Sequence, residues 1–373
     1  MEIPMPAESD IDRMVGAFTP SGLVNGPYGG WLMKKYSRSG NDHGAALNEL
    51  CGSINQVTTA FNEARYFDYS LGYGLTGFIW SLHCLGMNRP DSNEILDQDT
   101  LQPLIESECL RMIRAQNYDL FQGAHGVMMY LMETQDLNDE IYNVYVKNLR
   151  KNLENSGQLI PSTIGVGRYN TPFLGVNLGI PHGVAGCILI LLKMYQLKPE
   201  DQCRKIIGEA VSYLLGKAEK TEADEIRFSY SDHPESEFPP LAWCYGDLCS
   251  GYTLLKAGKI LKDPALEKEG FRMLDATLDR TDFVKGDLSM CHGPPCIAYL
   301  YCKAFQMSGM ERYMTRSNYW KNQCGRVLEE LEDRKREAFL GNTGLIYGYP
   351  GMFLALKALN GEIIQGWDSW MLI

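Results

Sequence analysis

Three residues in two short motifs form a set of side chains that can bind zinc. Cys244 lies in the motif AWCYG, and Cys291 and His292 lie in SMCHG. Thiolate and imidazole groups are the soft and borderline ligands that suit Zn²⁺. Successive residues of a helix point in different directions, so Cys291 and His292 can share one ion only from an irregular turn. The pattern therefore predicts a metal site that is built from turns.

Simple packing is a second interpretation of both cysteines, because a free cysteine is often buried as a small hydrophobic side chain. The chain has 11 cysteines, so some of them are expected in the core on numbers alone. Two features favour metal binding by Cys244 and Cys291. Each stands two residues before a glycine, and the two cysteines are 47 residues apart, which is one repeat of the pattern described below. The pattern alone leaves both interpretations open.

Two other polar residues stand beside similar glycines. His182 directly precedes the first glycine of PHGVAG, and Asp119 lies four residues before the first glycine of GAHG. Taken alone, His182 is a turn residue that caps a neighbouring helix, and Asp119 is a local hydrogen-bond acceptor. His125, inside GAHG, and His83, in an apolar helical stretch, are expected in the core.

All of these motifs belong to an internal repeat, Gly-x-x-Gly followed by an apolar stretch. The copies are 49, 60, 63, 47 and 55 residues apart, and they begin at Gly74, Gly123, Gly183, Gly246, Gly293 and Gly348. In the fourth and fifth copies, Cys249 and Cys296 replace the second glycine, where a small side chain is the expected requirement. Paired glycines suit either a positive φ or the close approach of two backbones at a tight turn.

Each glycine turn is followed by an apolar helix, and charged helices with one apolar face lie between the copies. In one of these, Ile206, Ala210 and Leu214 recur at helical spacing. A helix that is apolar on nearly all sides must be buried, which favours a closed ring of inner apolar and outer amphipathic helices. We therefore predict an all-α fold with one domain. Residues 1–65 are predicted to be an N-terminal helical segment that is part of the ring and has weaker signals, such as GPYG, and residues 66–373 are predicted to form the rest of the ring with the metal site.

The composition of the chain indicates which classes of binding partner are disfavoured and in which cellular compartment the protein is expected. The formal net charge is −11, which argues against nucleic acid and anionic membranes as partners. The longest strongly apolar run, at 187–192, is far shorter than the ~18 residues of a membrane span. The N-terminus does not resemble a secretory signal, so the cysteines are expected to be free thiols or metal ligands. We expect a cytoplasmic protein.

The motifs AWCYG, CHG and PHGVAG together resemble the lanthionine synthetase C-like family, the peptide cyclases of lanthipeptide biosynthesis, over roughly residues 66–359. The resemblance implies an α/α toroid in which Cys244, Cys291 and His292 hold Zn²⁺. It also implies that His182 and Asp119 act as acid/base residues. The implied reaction adds cysteine thiolates of a dehydrated precursor peptide to dehydroalanine or dehydrobutyrine, which forms (methyl)lanthionine thioether rings. A dehydratase and an exporter are the implied further partners.

Other functions remain to be distinguished. Pro240 stands where family cyclases often carry an arginine, and this difference keeps open a non-cyclising zinc protein of the same fold that binds glutathione or another thiol. A glycosidase would need paired carboxylates, and Asp119 and Asp247 are the only acids near the glycine turns. A purely structural zinc site would need a fourth protein ligand, such as Cys249 or Cys296.

Overall fold

The computed structural model describes residues 22–37, 43–63, 68–86, 98–166, 172–221, 226–362 and 366–373. In these residues the chain forms fifteen α-helices, four short strands and one 3-10 helix, Ser369–Met371. The predicted all-α fold is therefore confirmed, and the short strands are an addition that the sequence analysis did not predict. None of the helices in the described ranges is long and apolar enough to cross a membrane.

The helices form two concentric rings. A short helix, α1 (Gly22–Asn25), opens the described chain. The inner helices are α2 (Tyr28–Ser37), α4 (Leu75–Leu85), α6 (Ala124–Glu133), α8 (Val184–Leu197), α10 (Gly246–Leu261), α12 (Pro294–Ser308) and α15 (Tyr349–Leu359). The outer helices are α3 (His43–Glu63), α5 (Gln98–Arg114), α7 (Asp139–Ser156), α9 (Asp201–Leu215), α11 (Pro264–Asp275), α13 (Glu311–Glu330) and α14 (Asp333–Gly341). Each inner helix packs against the next, and α15 packs against α2, so the ring is closed.

Backbone hydrogen bonds close the same ring at the turns that precede the inner helices. Each turn is joined to the next by one N–H···O=C bond. These bonds run from Val24 to Gly72 (3.1 Å), Gly72 to Phe121 (2.8 Å), Leu120 to Pro181 (2.7 Å), Ile180 to Cys244 (2.9 Å), Trp243 to Cys291 (3.2 Å), Met290 to Ile346 (2.8 Å) and Leu345 to Leu23 (3.0 Å). The turns therefore converge at one end of the toroid, as the repeat predicts. The motif GPYG stands at the start of α2, which is an inner helix like the six that follow the repeat motifs, while the boundary at residue 65 stays a prediction.

The glycine turns depend on close backbone approach. A Cβ atom on Gly186 would lie 2.0 Å from the carbonyl oxygen of Ile180, and one on Gly126 would lie 2.1 Å from that of Leu120. Both distances are far inside van der Waals contact, so these positions have no room for a side chain. Gly183 has φ −143°, which any residue can adopt. Gly246, with φ +82°, is the turn glycine that also needs the left-handed region.

The hydrophobic pattern explains which helices lie inside. In α8 every residue from 184 to 192 is buried, whereas α9 buries only one face, which carries Ile206, Ala210 and Leu214. An inner helix is covered by both neighbours, by its outer partner and by the ring interior. It therefore needs an apolar surface on all sides. An outer helix keeps one face in water and carries its charges there.

Two small antiparallel hairpins lengthen the connections before the fourth and fifth inner helices. Strand β1 (Thr163–Val166) pairs with β2 (Pro172–Gly175), and β3 (Glu219–Lys220) pairs with β4 (Ile226–Arg227). They lie in the two longest repeat intervals, of 60 and 63 residues. An isolated bridge from Asn177 to Ser231 ties the two connections together above the turns. The extra residues of these two intervals thus form two hairpins in the connections that lead into the turns before α8 and α10.

Candidate functional site

The structure brings together the three residues that the sequence analysis selected as metal ligands. Cys244 lies in the turn before α10, and Cys291 and His292 lie in the next turn around the ring, before α12. One ligand atom from each residue lies within 4.8 Å of the others. In the part of the chain that the structure describes, no other group of His, Cys, Asp or Glu side chains forms such a cluster. Both cysteines are buried, whereas the His292 side chain is 32% exposed.

A layer of hydrogen bonds holds these ligands in place. The Ser289 hydroxyl accepts hydrogen bonds from the backbone amides of Cys291 (3.2 Å) and His292 (3.1 Å). Asp287 accepts from the Ser289 amide at 2.6 Å, and its other oxygen lies 3.3 Å from Nδ1 of His292. A proton on Nδ1 would be donated to Asp287, which leaves the Nε2 lone pair free for a ligand bond. Metal-binding histidines are commonly oriented by a carboxylate in this way.

The electrostatics of the cluster favour a cation. A hydrogen bond from Cys244 is the main cause that lowers the pKa of Cys291 to about 6. Burial, together with the neighbouring Cys291, raises the pKa of Cys244 well above its usual value. Burial alone would lower the pKa of His292, but the contacts with Asp287 and Cys291 outweigh it and raise this pKa to about 10. A buried pair of thiols beside a carboxylate thus stabilises positive charge, either as a proton on His292 or as a metal ion.

The structure also joins Asp119 and His182. The Asp119 carboxylate contacts Nδ1 of His182, and its Oδ1 accepts hydrogen bonds from the amides of Phe121 (2.7 Å) and Gln122 (2.9 Å). Burial would raise the pKa of Asp119, but His182 and these two amides outweigh burial and lower it. The His182 side chain is 41% exposed, so its Nε2 edge can meet a substrate. Asp119 is therefore a local acceptor, as its position suggests, and also the partner of His182.

Tyr245 lies between the metal-ligand cluster and the Asp119–His182 pair. Its ring centroid is 6.3 Å from that of His182, and it directly follows Cys244 in the chain. Its hydroxyl oxygen accepts a hydrogen bond from Asn177 Nδ2 at 2.9 Å. Burial raises the pKa of Tyr245, so the hydroxyl stays protonated and can donate a hydrogen bond. Tyr245 was not predicted as a functional residue from the sequence, although its place inside AWCYG is a signal that could identify it.

The remaining residues named from the sequence lie elsewhere. Cys249 and Cys296 are fully buried at the second-glycine positions and do not belong to the three-residue cluster. Cys296 instead directs its thiol to the Gly293 carbonyl oxygen at 3.1 Å. His125 is in the core, as expected, where its Nε2 lies 2.8 Å from the Tyr145 hydroxyl. The expectation for His83 was wrong, because it lies on the exposed side of α4.

Asp247 is not a free carboxylate. It is buried, and it forms ion pairs with Arg227 (2.7 Å) and with Arg280. The two arginines also donate hydrogen bonds to the Pro239 carbonyl oxygen, at 3.2 and 3.4 Å. This network fixes the segment that leads into Cys244. The glycosidase hypothesis loses one of its two acids, because a doubly paired buried carboxylate cannot act across a cleft.

A second repeat signal went unnoticed in the sequence. Five of the six glycine motifs have Asp or Asn six residues before the first glycine, and each of these side chains accepts a hydrogen bond from the amide two residues on. They are Asp68, Asn117, Asn177, Asp287 and Asn342, at 2.6 to 3.3 Å. Pro240 occupies this position in the remaining motif. There the Asp247 network takes the place of the side-chain hydrogen bond that shapes the other turns.

Comparison with known proteins agrees with this geometry. The family model "Lanthionine synthetase C-like protein" matches residues 30–372. The Nisin biosynthesis protein NisC of Lactococcus lactis subsp. lactis is 25% identical over 281 residues. That alignment covers 69% of this chain but 65% of the relative, so the chain spans less than two thirds of the length of NisC.

A solved structure of Nisin cyclase superposes with a TM-score of 0.76 and covers 97% of this chain and 94% of that chain. At 18% sequence identity, this likeness shows that the two proteins share the toroid. The family match extends over nearly the whole chain, including all six Gly-x-x-Gly motifs from Gly74 to Gly351 and both clusters of polar side chains. The chain therefore belongs to the lanthionine synthetase C-like family.

Proposed function

We propose that this protein is a zinc-dependent lanthipeptide cyclase. It would close thioether rings in a precursor peptide whose serines and threonines a dehydratase has already converted to dehydroamino acids. The observation that carries the proposal is the meeting of Cys244, Cys291 and His292 within 4.8 Å, beside an Asp119–His182 pair. The relatives are a nisin biosynthesis protein and a nisin cyclase, which supports the same substrate class.

The donor set fits zinc. Two thiols and one imidazole are typical zinc ligands, and three protein ligands leave one position for a substrate. The contact between Asp287 and His292 supplies the carboxylate that such sites commonly include. When bound, zinc would keep a substrate thiol deprotonated and nucleophilic at neutral pH.

The reaction adds the substrate sulfur to the β-carbon of dehydroalanine or dehydrobutyrine. The C–S bond forms, the C=C π bond breaks, and the α-carbon must then gain a proton. The thiol loses one proton and the α-carbon gains one, so the peptide mass does not change. This chemistry therefore requires groups that accept the proton of the thiol and groups that donate a proton to the α-carbon.

His182 is the group that delivers this proton. Asp119 holds Nδ1, so Nε2 is the ring nitrogen that is left to protonate the α-carbon. The negative charge of Asp119 stabilises the protonated imidazole that donates it. Tyr245 remains a neutral hydroxyl between the two clusters and can donate a hydrogen bond to the enolate oxygen of the intermediate.

A thiol count on a dehydrated precursor peptide tests the proposal. Because cyclisation leaves the mass unchanged, the peptide is treated with N-ethylmaleimide and the adducts are counted by mass spectrometry. Wild type should remove the free thiols, and His182→Ala should retain zinc but leave them. His83→Ala, which changes an exposed histidine on α4, is the matched control and should cyclise normally. A wild type that binds zinc and glutathione but leaves all peptide thiols free would overturn the cyclase in favour of a thiol-binding protein.

A further inference from the structure

The last described segment, residues 366–373, lies inside the ring of inner helices. Three side chains from different inner helices hold it through hydrogen bonds. Trp80 Nε1 of α4 donates to the Ser369 hydroxyl (3.0 Å), Lys256 Nζ of α10 donates to the Leu372 carbonyl (3.0 Å), and Tyr299 of α12 donates to Asp368 (2.9 Å). The segment is thus anchored to distant parts of the ring at once.

Trp370 is the residue of this segment that reaches the functional turns. It is fully buried, and its ring lies 5.3 Å from Trp243 in a T-shaped contact and 6.4 Å from Phe121. Trp243 directly precedes Cys244, and its indole N–H donates to the Met371 carbonyl at 3.0 Å. Trp370 therefore supports the turn of a metal-cluster residue from inside the ring.

The other contact of Trp370 leads to the acid/base pair. The Phe121 ring lies 6.1 Å from the His182 ring in a T-shaped contact, and the Phe121 amide donates to Asp119 at 2.7 Å. Phe121 thus touches both members of the pair. Trp370 contacts both Phe121 and Trp243, so it packs against the supports of the acid/base pair and of the metal-ligand cluster at once.

The aromatic contacts of Trp370 reach two turns that no backbone hydrogen bond of the ring joins directly. The backbone hydrogen bonds join only neighbouring turns, as in Leu120 to Pro181 and Ile180 to Cys244. The turns of Asp119 and Cys244 are not neighbours, since the turn of His182 lies between them. Phe121 and Trp243 lie 6.2 Å apart between ring centroids, and Trp370 packs against both, so three aromatic rings join these two turns across the interior. Aromatic contacts of this kind fix relative orientation as well as distance.

We propose that Trp370 is a positioning residue for ring closure, which rests on the function proposed above. It sets the separation between the metal-ligand cluster and the Asp119–His182 pair through Trp243 and Phe121. The sulfur nucleophile and the proton donor must meet the same two-carbon unit, so a displacement of about 1 Å is expected to cost up to ~10²-fold in rate.

Trp370→Leu and Trp367→Leu form a matched pair of variants. Trp367 is equally buried in the same segment but packs on Tyr299, at 5.4 Å between ring centroids. Both variants lose the same volume and should lower Tm to a similar extent. Trp370→Leu should lower kcat about 10- to 100-fold with zinc content and KM nearly unchanged. Trp367→Leu should keep kcat near that of wild type. Equal losses of kcat in both variants, or a Trp370→Leu variant with wild-type kcat, would overturn the proposal.

A spectroscopic measurement separates this proposal from the cyclase function itself. The ¹⁵N shifts of the His182 imidazole report its tautomer, and the Asp119 carboxylate beside Nδ1 favours the form with the proton on that atom. Trp370→Leu should shift His182 towards the Nε2-protonated form, and Trp367→Leu should not. This readout needs no turnover. If wild type forms no thioether, the cyclase proposal fails, and an unchanged His182 tautomer in Trp370→Leu still overturns the positioning role.

Discussion

Asp119 and His182 are 63 residues apart in the sequence, yet the Asp119 carboxylate contacts Nδ1 of His182. The contact exists because the two residues belong to neighbouring turns that the Leu120–Pro181 backbone hydrogen bond joins at 2.7 Å. The repeat thus does more than build a ring. It places Asp119 next to His182 of the following turn, and it also places Cys244 next to Cys291.

Asp119→Asn tests the charge of this pair. Asparagine keeps an oxygen for the amides of Phe121 and Gln122 but does not stabilise a protonated His182. We expect kcat for ring closure to fall about 10²-fold, with KM and zinc content unchanged. Steady-state kinetics of thiol loss on a dehydrated peptide measures this, and an undiminished kcat would remove Asp119 from the proposed mechanism.

The same carboxylate should influence stability at acid pH. Its pKa is lowered in the folded protein, so it binds fewer protons than the unfolded chain, whose aspartates titrate near ~3.9. The stabilisation is present above that value and is lost as the pH falls towards the folded pKa. The Tm difference between wild type and Asp119→Asn should therefore be larger at pH 7 than at pH 3. Asp333→Asn, on a side chain that is 92% exposed, is the control and should show little difference at either pH. A Tm difference between wild type and Asp119→Asn that is larger at pH 3 than at pH 7 would contradict the lowered pKa of Asp119 in the folded protein.

Much of the ring could be predicted because its signals are local. Gly-x-x-Gly and the apolar run that follows it recur within a few residues, and close packing of backbones at the turns demands glycine at Gly126 and Gly186. GPYG was the weakest copy, yet it stands at the start of a seventh inner helix, α2. The metal-ligand cluster was predictable for the same reason, since equal offsets in neighbouring repeats become neighbours in space.

The parts that escaped prediction depend on pairs of distant residues. The buried pairing of Asp247 with Arg227 and Arg280 joins three separate segments, and no spacing within one segment indicates it. The role of Tyr245 depends on the ring of His182, which another turn contributes. The short hairpins were missed because strands of two to four residues are too brief to show an alternating pattern.

Gly186→Ala tests the close-approach explanation of the repeat. The new Cβ would lie 2.0 Å from the Ile180 carbonyl oxygen, which belongs to the backbone and cannot simply rotate away. We expect a loss of about 3 kcal/mol in the free energy of unfolding, measured by urea denaturation. Gly208→Ala is the matched control, because it lies on the exposed face of α9 with nothing within 4 Å. It should stabilise the protein by about 0.5–1 kcal/mol, and a Gly186→Ala variant that was equally stable would refute the explanation.

Asp247→Asn tests the network that replaces a side-chain hydrogen bond at Pro240. The substitution leaves two partly buried arginines without their shared carboxylate, so unfolding should become easier by about 3–5 kcal/mol. Glu154→Gln, which breaks an exposed pair with Arg150 at 3.8 Å, should change stability by less than ~0.5 kcal/mol in the same denaturation assay. Similar small effects from both variants would mean that the buried network contributes little.

The last prediction concerns the binding of zinc by the metal-ligand cluster, without reference to catalysis. Purified wild type should hold about one zinc per chain by elemental analysis, and Cys291→Ala should hold almost none, since it removes one of three protein ligands. Cys302→Ala, which removes a buried thiol of α12 outside the metal-ligand cluster, controls for the loss of a core cysteine and should retain the metal. Asp287→Asn should weaken zinc binding about 10- to 100-fold in competition with a chelator, because His292 would lose the carboxylate that orients its ring. Full zinc occupancy in Cys291→Ala, or equal loss in Cys302→Ala, would show that the three side chains do not form the site.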